Sequence, residues 1–101
     1  MRPETEQLLE HVLHAVMQPD SDALTLAMHL RSAVPEARVI ALIHALLSAD
    51  RVIRDTFNGN APARADAALA SGFALTLAEV AEAHEARENP TRPVTLRDLA
   101  L

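Results

Sequence analysis

The sequence predicts an all-α fold: a compact four-helix bundle-like domain in which helices three and four form a long antiparallel hairpin, with an extended C-terminal tail. Three observations lead there. Alanine and leucine dominate and both favour helix, while β-branched residues are sparse and strict polar–apolar alternation is missing. Glycine occurs only at positions 59 and 72, too few for a turn-rich β protein. Apolar residues recur at three- and four-residue spacing in four successive blocks, separated by Pro, Asp, Asn and Gly. A chain of 101 residues holds one core at most. This places a bundle domain at 1–88 and a proline-containing tail at 89–101, packed on the bundle or on a partner. Phe57 and Phe73 are the only aromatics, so the core falls to Leu, Val, Ile, Met and Ala.

The first helix is expected from Pro3 to Met17, with Pro3 in its first turn and Glu4 and Glu6 at the positive end of its dipole. Leu8, Leu9, Val12, Leu13 and Val16 share one face; Gln7, Glu10, His11 and His14 share the other. Asp20, Ser21 and Asp22 offer N-caps for a second helix reaching Val34. Its stripe is Ala23, Leu26, Ala27, Leu30 and Val34, and Leu24 and Met28 are expected to widen it.

The third helix is expected from Pro35 to Phe57. At ~100° per residue, Val39, Ile40, Leu42, Ile43, Leu46 and Leu47 cover one broad side. His44 falls outside that arc, on a polar stripe with Ser48, Arg51 and Asp55. Asp50 and Arg54 project into the apolar arc and can pair at i, i+4. Either the helix extends past the core there or it breaks near Ser48–Asp50. Asn58-Gly59 is the stop, and Asn60 with Pro62 starts a fourth helix over 61–88. Its stripe is Leu69, Phe73, Leu77, Val80 and His84; Glu79, Glu82, Glu85 and Glu88 lie away from it. Gly72 costs this helix about 1 kcal/mol against alanine, which marks a close crossing or a bend. In the tail, Asn89-Pro90 and Arg92-Pro93 favour extended chain, and Thr95 to Asp98 resembles a capping box.

Composition excludes several function classes. Formal net charge is −5 and all nine basic residues are arginine. Such a chain lacks the cationic footprint of non-specific nucleic-acid binding and is repelled by anionic membranes. No cysteine means no disulfide and no thiol chemistry. The acidic start MRPETEQLLEH has no basic segment before an apolar one, and no apolar run reaches bilayer length. The expectation is a cytoplasmic protein without a membrane or nucleic-acid partner.

Chemistry-bearing patterns are few. His11 and His14 stand at i, i+3, a spacing that can share a transition metal, but two imidazoles fall short of the three or four protein ligands a zinc site takes. A di-metal carboxylate centre needs inward Glu-x-x-His motifs, and the chain has none. His84, on the apolar stripe, is the candidate buried titratable group. His44, Ser48, Arg51 and Asp55 have the composition of a catalytic set but point outward in a row, so no base activates a nucleophile. A helix-turn-helix over 21–47 would present mainly Val, Ile, Ala and Leu to DNA. No catalytic set and no cofactor is therefore expected.

What remains is apolar surface larger than one small bundle covers. The expectation is a protein–protein interaction or self-assembly module, a homodimer, with interface residues Leu24, Met28, Ile40, Leu47, Leu96 and Leu99. The alternative is a small-ligand or transition-metal binder that uses His11 and His14, or His84.

Overall fold

The computed structural model describes residues 3–18, 22–57 and 61–99. The Asn58-Gly59 stop, the Asn60 cap and the Asp20 and Ser21 caps lie outside the described residues. The first helix, α1 (Pro3–Val16), turns Leu8, Val12, Ala15 and Val16 into the core, with Leu9 and Leu13 half-buried beside them. Gln7, Glu10, His11 and His14 face outward, as their spacing requires.

The second helix, α2 (Ala23–Ala33), starts on Asp22, whose Oδ1 accepts from the Thr25 N–H at 2.8 Å. Helix-start amides have no partner within their own helix, so a side-chain oxygen here fixes where the helix begins. That hydrogen bond holds the Asp22 carboxyl below its ordinary range. Only Leu26 and Leu30 of this helix are buried.

The third helix, α3 (Val39–Phe57), begins four residues later than Pro35. The reason lies far along the chain. The tail crosses this corner and takes its backbone groups: Val39 N–H donates to the Val94 carbonyl at 2.8 Å, Leu96 N–H to Ala37 at 2.9 Å and Arg97 N–H to Pro35 at 2.9 Å. Arg38 and Thr95 form an isolated antiparallel bridge. A turn whose carbonyls are committed to the tail in this way cannot also be helix. Beyond Val39 the helix is continuous through Ser48–Asp50. It does not outrun the core either, because Ala49 and Ile53 are fully buried. Asp50 sits half-buried and accepts from Arg54 Nε at 2.7 Å.

The fourth helix, α4 (Ala61–Glu88), is 28 residues long. At about 1.5 Å per residue it accounts for the 42 Å long axis of the molecule. It lies along α3 as the second arm of an antiparallel hairpin, the most extensive contact in the fold, and α1 closes against both arms. The seam is made of small residues. Leu42, Ala45, Leu46, Ala49 and Ile53 of α3 meet Ala63, Ala67, Ala70, Phe73, Ala74 and Leu77 of α4 in one buried cluster. Small side chains let helices approach closely, so apolar area is buried without bulk. Gly72 is not a crossing point: a β-carbon there would meet nothing within 4 Å.

α4 is closed by Asn89, the residue after its end, which takes a left-handed φ of 47° while its N–H donates to the Glu85 carbonyl at 2.9 Å. Asparagine tolerates that conformation better than most residues. The tail then folds back onto the bundle. Val94, Leu96 and Leu99 are buried in the common core, so Leu96 and Leu99 are core residues rather than interface residues. A 3-10 turn, Leu96–Asp98, is closed by Asp98, whose Oδ2 accepts from the Thr95 N–H at 2.9 Å and from the Thr95 hydroxyl at 3.2 Å. Arg92 grips the same carboxylate with both terminal nitrogens, at 2.8 and 2.7 Å. Arg97 adds an ion pair to Glu36.

The Arg92 guanidinium, and after it the Thr95 amide, hold the Asp98 carboxyl well below the usual carboxylate range. A depressed carboxyl contributes stability that is complete above its unfolded value and lost as pH falls toward the folded one. Acidification from about pH 5 to below about pH 3 should therefore loosen the tail. Asp98→Asn should melt below wild type near neutrality, and the gap should close on acidification. A gap that stays constant across that range would show that Asp98 ionisation is not what secures the tail.

Candidate functional site

Two outward faces and two grooves carry the candidate residues. On α2, Leu24 and Met28 stand one turn apart, 70% and 65% exposed. They do not widen the core stripe. About 100° per residue puts them opposite Leu26 and Leu30, and Arg31 continues their line toward the helix C-terminus. α2 contains no acidic residue, and Arg31 is the basic residue of its last turn.

On α3, Ile40 is 72% exposed and Leu47 49% exposed, with the exposed His44 between them. These three follow i, i+4, i+7, a straight outward row. Ile40 also lines a groove of about 300 Å³ between the start of α3, the C-terminal half of α4 and the tail. Its floor is Val39, Ile43 and Ala81, and Glu82 and Glu85 stand on the α4 side. Leu75, 62% exposed, lies three residues before Ala78, which lines the same groove. Sequence reasoning did not single out Leu75. Its spacing from Ala78 and Glu82, at i+3 and i+7, was the available signal.

A larger groove, about 430 Å³, runs between α1 and the segment joining α2 to α3. Leu8, Val34, Pro35 and Ala41 line it, with His11 and Arg38 among its polar groups.

The histidines are distributed rather than gathered. His11 and His14 are both exposed, and the His14 ring stands near that of His29 of α2, with centroids 6.3 Å apart and planes tilted by 47°. Gln18 Nε2 lies 3.3 Å from His14 Nε2 and donates to the His14 carbonyl at 3.1 Å. His84 is half-buried near the end of α4. Among the described residues no group of three or more His, Cys, Asp or Glu is placed to hold a metal ion. The outward row of α3 ends in an Arg51–Asp55 pair at 3.9 Å, both side chains highly exposed. Such a pair contributes little in water.

Among the described residues no helix is long and apolar enough to cross a membrane. No family model, no curated protein and no solved structure matches the chain.

Proposed function

We propose that the chain is a protein–protein interaction module that associates with itself as a homodimer through the outward face of α2. Leu24 and Met28 carry this reading: two large apolar side chains, each more than half exposed, one turn apart and opposite the face that the helix commits to its own core. Single exposed apolar residues are ordinary on protein surfaces, whereas a paired row on a short amphipathic helix is the form that helix-docking surfaces take. Ile40, Leu47 and Leu75 add exposed apolar area on the hairpin. Burial of such surface is the driving force for association, and the small alanine seam leaves the monomer little core to spare.

Methyl NMR tests this directly. On raising the protein from about 5 to about 500 µM, the Leu24 and Met28 methyl signals should shift together along one binding curve. Val12 and Leu42, fully buried in the monomer, should stay in place. Leu24 and Met28 signals that are independent of concentration would refute the proposal.

A further inference from the structure

We propose that the α2 ridge of one copy docks into the α3/α4 groove of a second copy, reciprocally in the dimer, with Arg31 meeting Glu82 and Glu85. This rests on the self-association reading and specifies its contact. The ridge and the groove match in chemistry, in length and in order. The ridge presents Leu24, then Met28, then Arg31, and the helix that bears it has no acidic residue. The groove presents Ile40 and Ala78, then Glu82 and Glu85; the exposed Leu75 precedes Ala78 by three residues on α4, and the exposed Leu47 follows Ile40 by seven on α3. Leu24 and Arg31 are seven residues apart, as are Leu75 and Glu82, and as are Ile40 and Leu47. On helices of equal rise these spans coincide.

Laid parallel to α4, the ridge puts its apolar pair over the apolar end of the groove and its arginine over the acidic end. Among the described residues Arg31, Glu82 and Glu85 form no ion pair within their own chain, whereas Arg51, Arg54, Arg87, Arg92 and Arg97 do. Arg38, Arg64, Glu6, Glu10, Asp66 and Glu79 form no ion pair among those residues either; Arg31, Glu82 and Glu85 are the unpaired charges that lie on the ridge and on the groove wall, where a second copy docked in this way would complement them.

Charge exchange between copies tests this. Arg31→Glu alone, and Glu82→Arg with Glu85→Arg, should each weaken the dimer at least about tenfold, because attraction becomes repulsion at two symmetric contacts. In a mixture of the two variants, the glutamate ridge faces the arginine groove and the arginine ridge faces the acidic groove. Mixed dimers should then form with an affinity within about threefold of wild type. Native mass spectrometry of the mixture, with one variant isotope-labelled, reads the result. If neither variant weakens the dimer, the docking is wrong. If both weaken it and the mixture does not recover, the docking is also wrong, and a symmetric α2-on-α2 contact replaces it. A wild-type protein that never dimerises would overturn self-association itself, and this contact with it.

Discussion

The double substitution Leu24→Asp with Met28→Asp is expected to abolish self-association, weakening the dimer at least about 100-fold, without loss of helix. In a two-fold symmetric dimer each substitution enters twice, so four apolar side chains leave the interface together. Burial of each contributes about 1.5–3 kcal/mol, and about 2.8 kcal/mol already corresponds to 100-fold. Four new carboxylates must also be desolvated or leave the contact open. The fold should be indifferent, because α2 is anchored by Leu26 and Leu30 on its other face and capped by Asp22. Sedimentation equilibrium with far-UV circular dichroism separates the two effects. Lost association with retained helix is the expected pair of results. A double variant that still dimerises would move the interface away from α2.

Leu96→Ala should be the most damaging single truncation outside the four helices, costing about 3 kcal/mol. Leu96 is fully buried although it belongs to the tail. Its removal leaves a cavity between the tail and the hairpin, and it loosens the segment whose backbone satisfies Ala37, Val39 and Pro35. For a domain whose total stability is about 5–15 kcal/mol, that is a large share. Chemical denaturation reads it as a lowered midpoint with an unchanged slope. A loss below about 1 kcal/mol would mean that the tail contributes little to the fold.

The helices and their caps were legible because their causes are local. The leucine and valine spacing in α1, the Asp22 cap, the Asp50–Arg54 pair and the Thr95–Asp98 closure each depend on residues three or four apart. Other features depended on distant chain. The start of α3 is decided by Val94 and Leu96, which no window around Pro35 contains. The same docking turned Leu96 and Leu99 from candidate interface residues into core. Leu24 and Met28 were expected to widen the core stripe but lie exposed on the other side of α2, because a single short helix does not state how wide its buried arc is. On α4, Ala63, Ala67, Ala70 and Ala74 keep a regular four-three-four spacing. Alanine is so common in this chain that the seam passes for composition bias rather than a buried face. His14 stands near His29, a relation set by the packing of α1 on α2.

The decisive measurement is the mass of the untagged wild-type chain, purified without added metal, by native mass spectrometry over a rising concentration series. The expected mass is twice the 10.9 kDa of the chain, with the dimer fraction growing by mass action and no further adduct. A mass that stays at one chain throughout would contradict it and leave the apolar face of α2 without the second copy assigned to it.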